Sequence, residues 1–151
     1  MYQSLVLLRG LFKMDKETIE IEPFNQAYES CTFVYGRETY RSRIVHRTPK
    51  KKGYFTALWT KRDNGTNRPF RDSETCDYTI IMINDGAHQG YFRFPKQIMI
   101  HKGISSSSAH KGKMAFRVYP PWEDELNATA ARSQSWQLRY FRKINNMNIT
   151  F

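Results

Sequence analysis

Cys76-Asp77-Tyr78-Thr79-Ile80-Ile81-Met82-Ile83 decides how this chain is read. The run is apolar without a break from Ile80 to Ile83, and Asn84-Asp85-Gly86 ends it with turn-forming residues. A run this short and rich in β-branched residues reads as a strand. Because it is apolar on both faces, it must be covered on both faces, which places it at the centre of a sheet.

Its neighbours lie in the flanking sequence. Downstream, Gly90-Tyr91-Phe92-Arg93-Phe94 alternates, with Phe92 and Phe94 pointing inward. Pro95 opens a helix over residues 96–102, closed by Gly103. A basic loop follows, and Met114 to Tyr119 makes another strand, stopped by Pro120-Pro121. Residues 127–144 read as one helix: Trp136, Leu138, Tyr140, Phe141 and Ile144 form an apolar stripe opposite Arg132, Arg139, Arg142 and Lys143. Residues 145–151 form a tail without a strong signal. Upstream, residues 1–13 read as a short core helix. Their most apolar stretch, Leu5 to Phe12, contains Arg9 and Gly10 and falls short of the roughly 18–20 residues of a membrane span. It also lacks the form of a signal peptide. The whole reads as a single α/β (α+β) domain of 151 residues, a mixed and mostly antiparallel sheet flanked by helices. With 15% aromatic residues it is not a disordered chain.

The formal net charge is +10, and it is concentrated. Residues 37–62 hold nine basic groups and one acid. Thr39 to His46 has strand composition, so alternation puts Arg37, Arg41, Arg43 and Arg47 on one face and Tyr40, Ser42 and Ile44 on the other. Guanidinium groups about 6.6–6.8 Å apart along a strand come close to the phosphate spacing of a nucleic-acid strand. The next residues, Thr48-Pro49-Lys50-Lys51-Lys52-Gly53, form a loop with three adjacent cations. Tyr54 to Lys61 makes a strand with Lys61 on the face of Phe55, Ala57 and Trp59, and Asp63-Asn64-Gly65 is a turn. Arg41, Arg43, Arg47 and Lys50 to Lys52 are the expected phosphate contacts, with Lys61, Lys111, Lys113 and Arg117 supplementing them. Tyr91, Tyr119 and Trp122 are the aromatics left as candidate stacking platforms; Tyr119 lies two residues after Arg117.

Signals for chemistry are sparse. No Asp/Glu-x-Lys triplet of a metal-dependent nuclease occurs, although Asp72, Glu74, Asp77 and Asp85 could still gather in space. His46, His88, His101 and His110 show no paired spacing, and the common hydrolase and phosphate-loop motifs do not occur. Cys31 and Cys76 are too few and too far apart for a zinc site or a disulfide framework, and read as reduced thiols of a cytoplasmic protein. Either could pair with a histidine as a nucleophile. The Asn-x-Thr triplets at Asn64, Asn127 and Asn148 carry no weight without a secretion signal. No metal or cofactor is expected. The leading expectation is a non-catalytic DNA- or RNA-binding protein. A Mg²⁺-dependent nuclease and an accessory protein docking on an acidic partner are the alternatives.

An ordered set of segments resembles the MepB-like family. It runs Tyr28-x-x-Cys31-x-Phe33, Arg41-x-Arg43, Thr48-Pro-Lys-Lys-Lys-Gly53-x-Phe55-x-x-x-Trp59 and Pro69-Phe70. It continues with Gly90-x-Phe92-x-Phe94-Pro95, Gly103, Phe116-Arg117-Val118-Tyr119-Pro120-x-Trp122 and Trp136-Gln137-Leu138-x-Tyr140-Phe141. The resemblance covers about residues 25–143. It implies an association with a multidrug efflux operon, a fold likened to restriction endonucleases and a role in nucleic-acid binding. It supplies no catalytic residues.

Overall fold

The computed structural model describes residues 2–14 and 16–145. The apolar run lies in a strand, Tyr78–Asp85, that stands inside a six-stranded sheet. In chain order, α1 (Gln3–Leu11) precedes β1 (Glu20–Ile21), β2 (Cys31–Tyr35) and β3 (Glu38–Ile44). Then come β4 (His46–Arg47), β5 (Tyr54–Ala57), β6 (Thr60–Lys61) and β7 (Asn67–Arg68). β8 (Tyr78–Asp85), β9 (His88–Pro95) and α2 (Lys96–His101) follow. The last elements are β10 (Ala115–Val118), α3 (Ala128–Gln137) and β11 (Phe141–Lys143).

The large sheet runs β1-β2-β3-β8-β9-β11. Its pairs are antiparallel except β3 with β8. A parallel pair needs a crossover, and residues 45–77 supply it. That segment holds β4, β5 and the β6–β7 hairpin. β10 joins two of these in a second sheet, ordered β10-β5-β4. The architecture is mixed α+β, as expected.

Alternation along β8 sends Ile80 and Met82 to one face and Ile81 and Ile83 to the other, all fully buried. On the first face Leu5, Leu7, Leu8 and Phe12 of the N-terminal segment pack with Phe33, Tyr40 and Ile44. On the second face Tyr54, Met99, Phe116 and Val118 pack with Phe92 and Phe94. Each such side chain contributes about 1.5–3 kcal/mol on burial. The unbroken apolar run is therefore the mark of this double cover. The start of α1 is tied down by Glu29, whose Oε1 accepts from the Ser4 N–H at 2.7 Å and its hydroxyl at 2.8 Å.

Residues 127–144 do not form one helix. α3 stops at Gln137, a 3-10 turn covers Leu138–Tyr140, and Phe141–Lys143 becomes an edge strand on β9. Gln137 is buried and binds the edge of β10: its Nε2 donates to the Arg117 carbonyl at 2.9 Å and its Oε1 accepts from the Tyr119 N–H at 2.8 Å. Phe141 then packs edge-on against Phe92, ring centroids 5.1 Å apart. Gly90 makes that approach possible, since a Cβ there would lie 2.3 Å from the Phe141 ring. Sheet pairing and a seat for Phe141 outweigh a helical period that is only local. The expected tail beyond Asn145, the Met1 start of the first helix and the Asn148 triplet lie outside the described residues.

Both cysteines are free. Cys31 is buried, and burial, with the Glu22 carboxylate adding to it, pushes its thiol up to about 12. It is protonated at neutral pH and is no nucleophile where it stands. Among the described residues no helix is long and apolar enough to cross a membrane.

Candidate functional site

The arginine row is where sequence and structure part. The alternation is right, but the face carrying Arg41 and Arg43 is covered. Arg43 is 0% exposed: its Nη1 donates to Glu22 Oε1 at 2.6 Å and its Nη2 to Asn25 Oδ1 at 3.0 Å. Burial pushes its pKa down, and the Glu22 carboxylate opposes that shift. Arg41 donates to the other Glu22 oxygen at 3.1 Å and lies 3.9 Å over the Phe70 ring. Arg47 crosses into the second sheet, where Asp85 takes its Nε at 3.0 Å and Glu123 its Nη1 at 2.9 Å. Its guanidinium sits over Tyr54, and the Glu123 hydrogen bond raises its pKa. Arg43 is therefore closed to a phosphate. Arg41 and Arg47 have their charges matched by carboxylates drawn from elsewhere in the chain.

The lysine loop behaves differently. Lys50, Lys51 and Lys52 are exposed and line a hollow of about 490 Å³ together with Arg117, Tyr119 and the start of α3. A second hollow of about 270 Å³ shares Arg117, Tyr119 and Thr129 with the first and adds Lys102 and Lys113. The two hollows adjoin along these shared residues as a basic groove, and six cations line them. Glu123 anchors the loop from beneath: its Oε1 accepts the Gly53 N–H at 2.7 Å as well as Arg47. Gly53 has φ +80°, and a Cβ there would lie 2.6 Å from the Tyr119 ring, so the loop and the tyrosine are in direct contact.

Among the described residues Arg117 is held by neutral acceptors alone. Its Nη2 donates to the Thr48 hydroxyl at 2.8 Å and its Nη1 to the Lys52 carbonyl at 3.4 Å. Asn127 caps α3, accepting from the Ala130 N–H at 2.8 Å, and the first turn carries no acid. The positive end of that helix dipole therefore adds to the groove's field. Glu125 lines the same hollow, and Lys52 sits 3.9 Å from its carboxylate and 3.8 Å from that of Asp124. Both acids are highly exposed, so these pairs are weak and exchangeable.

The remaining expected residues are scattered. Lys61 donates to Asn67 Oδ1 at 3.0 Å and lines a different cleft with Arg62, Arg68 and Arg71. Lys111 is exposed but does not line the groove. Trp122 is engaged internally, stacked on His88 at 4.6 Å and donating to the Tyr54 hydroxyl at 3.0 Å. Tyr91 lines a separate cavity. The carboxylates considered for a metal do not gather: Glu74 pairs with Arg68, Asp77 accepts from Thr39, and Asp85 holds Arg47 and Tyr54. Among the described residues no three His, Cys, Asp or Glu side chains are grouped to hold a metal ion. Lys102, Thr129 and the anchoring role of Glu123 escaped the sequence reading. The Asn127 cap was readable as a helix start, but its position beside the lysine loop was not.

The chain as a whole is similar to known proteins. The solved structure described as the crystal structure of MepB is 44% identical, with a TM-score of 0.85, over 97% of this chain and 99% of that one. The homing endonuclease I-Ssp6803I, of bacterial origin, is 12% identical with a TM-score of 0.44, over 89% of this chain and 84% of that one. Among curated proteins nothing matches. A family model described as MepB-like matches residues 22–143, the span from just after β1 to the end of β11 that includes the groove, and this chain belongs to the MepB-like family.

Proposed function

We propose that this protein binds nucleic acid non-catalytically through the groove between the lysine loop, β10 and α3. One observation carries the reading: Lys50 to Lys52, Arg117 and Tyr119, from separate segments, line one hollow that continues to Lys102 and Lys113. Mobile lysines and a guanidinium track a phosphate backbone, and a tyrosine face beside them can stack on a base. The first turn of α3 contributes backbone dipoles of the right sign. Arg41, Arg43 and Arg47 take no direct part; they brace the sheets behind the loop.

The test is a fluorescence-polarisation titration with labelled single- and double-stranded oligonucleotides at several salt concentrations. Each neutralised phosphate contributes a log–log slope of about −0.9 on duplex and −0.7 on single strands. Six engaged cations would give a slope of about −4 on single strands and about −5.5 on duplex. Replacing Lys50, Lys51 and Lys52 by Ala should flatten it by about 2–3. No binding at low salt, or a slope unchanged by the triple substitution, would defeat the reading.

A further inference from the structure

Seven of the thirteen arginines of this protein form two contrasting groups. Arg41, Arg43, Arg47 and Arg68 each meet a carboxylate at 3.1 Å or less. Arg93, Arg139 and Arg142 meet none among the described residues, yet they converge. They line one cavity of about 510 Å³ with Phe12, Tyr35, Tyr78, Tyr91, Pro95 and Tyr140, and no acid among the described residues lines it. The cavity opens on the α1 face of the large sheet and shares no lining residue with the basic groove.

Arg93 is the informative member. It is half-buried, its Cζ 3.7 Å from the centre of the Tyr78 ring, and its Nη2 donates to the Tyr40 hydroxyl at 2.8 Å. Glu38 acts on it only at a distance and forms no ion pair with it. A cation withdrawn from water and left unpaired is costly, and Arg41, Arg43 and Arg68, also withdrawn from water, each have a carboxylate. Arg142 stands opposite Tyr91 in the β9–β11 register, and its only side-chain hydrogen bond among the described residues is from Nη1 to the adjacent Phe141 carbonyl at 2.8 Å. Arg139 projects from the 3-10 turn that replaces the end of the expected helix.

We propose that this cavity binds a nucleoside monophosphate. The three guanidiniums call for a polyvalent oxyanion, and planar guanidinium forks match phosphate oxygens. The tyrosine faces call for a planar aromatic ring stacked beside it. A nucleotide satisfies both, whereas free phosphate leaves the aromatic wall unused. The volume lies in the range of about 300–1,000 Å³ typical of small-molecule sites.

The probe is adenosine 5′-monophosphate, titrated by calorimetry against the full chain, with adenosine and inorganic phosphate as its two halves. The nucleotide should bind at least about tenfold more tightly than either half. Arg139→Gln and Arg142→Gln, both at exposed positions that leave the core intact, should each weaken binding about tenfold. The triple lysine variant should bind the mononucleotide as the native chain does, which separates this site from the groove. Displacement of the nucleotide by a 5′-phosphorylated dinucleotide would assign the pocket to a strand end; no displacement would assign it to a free mononucleotide. Binding no tighter than that of adenosine or phosphate alone, or insensitive to both arginine variants, or abolished by the lysine substitutions, overturns the proposal.

Discussion

Glu22→Gln tests what holds the second face of the large sheet. Glu22 Oε1 accepts from Arg43 Nη1 at 2.6 Å, and Oε2 from Arg41 Nε at 3.1 Å and Arg43 Nη2 at 3.4 Å. The side chains are 13% exposed for Glu22, 14% for Arg41 and 0% for Arg43. Glutamine keeps the shape, removes the charge and turns an N–H₂ group toward two guanidiniums. Arg43 is then left with the Ser42 carbonyl at 2.8 Å and Asn25 Oδ1 at 3.0 Å, both neutral. Breaking a buried pair at one end costs about 3–5 kcal/mol, a large part of the roughly 5–15 kcal/mol of a whole domain. With a urea m-value near 2 kcal/mol/M, the midpoint should fall by about 1.5–2.5 M. Circular dichroism and tryptophan fluorescence in urea measure this. Combining Glu22→Gln with Arg43→Met should cost less than the two single losses added together, because the second change removes the orphaned charge. A midpoint shift below about 0.5 M would mean that the charge is hydrated or finds another partner, and the structural role would fail. It would fail equally if Arg43→Met alone lowered the salt slope of oligonucleotide binding by about one.

Three further outcomes are expected. Gly90→Val should drive β11 off β9, since a Cβ there meets the Phe141 ring at 2.3 Å; overpacking of this kind costs about 1–3 kcal/mol, and hydrogen exchange at residues 141–143 should speed up before the rest of the sheet. Glu74 is held at about 2, below its ordinary 4.5, chiefly by the Arg68 hydrogen bond. A carboxyl depressed in the folded state stabilises above its unfolded pKa, and that contribution disappears as pH falls from 4.5 toward 2. Urea midpoints should therefore drop less steeply over that window in Glu74→Gln than in the native chain, and parallel curves would count against the pair. Gly53→Ala places a Cβ at φ +80°, 2.6 Å from Tyr119 and 2.9 Å from the Val118 carbonyl. It should lower the midpoint by about 1–3 kcal/mol equivalent and weaken oligonucleotide binding together; unchanged binding would detach the loop from the groove.

Elements whose signal is local were legible in the sequence. The β8 run, the Phe92–Phe94 alternation, the helix after Pro95 and the turn at residues 62–66 lie where their residues put them. Two readings failed for one physical reason: periodicity says which residues share a face, not what lies against that face. Arg41 and Arg43 do alternate with Tyr40, Ser42 and Ile44, but Glu22, Asn25 and Phe70 cover them from segments far away in sequence. The stripe Trp136–Tyr140–Ile144 has helical spacing, yet the open side of β9 and the space over Gly90 take Phe141 as a strand residue. Of the candidate site, the lysine loop, Arg117 and Tyr119 were readable as residues. Their meeting with Lys102, Lys113 and the start of α3 depends on how β10 packs, which no window of sequence contains.

The same distinction governs the charge. Residues 37–62 carry nine of the chain's basic groups, but three of these, Arg41, Arg43 and Arg47, are matched by Glu22, Asp85 and Glu123 from other segments. A count along the chain overstates the arginine row and misses what accumulates in space. Carboxylates within the fold neutralise cations that serve as struts; a cation that serves a ligand must be left free of them, because a resident carboxylate would compete with the incoming anion. Arg117 meets that condition in the groove, and Arg93, Arg139 and Arg142 meet it in the cavity on the opposite face. Lys52 meets it only in part, since Asp124 and Glu125 stand near it as exposed competitors. Removing those two acids should therefore tighten anion binding at the groove, whereas removing Glu123, which fixes the loop itself, should weaken it, and neither change should alter binding in the cavity.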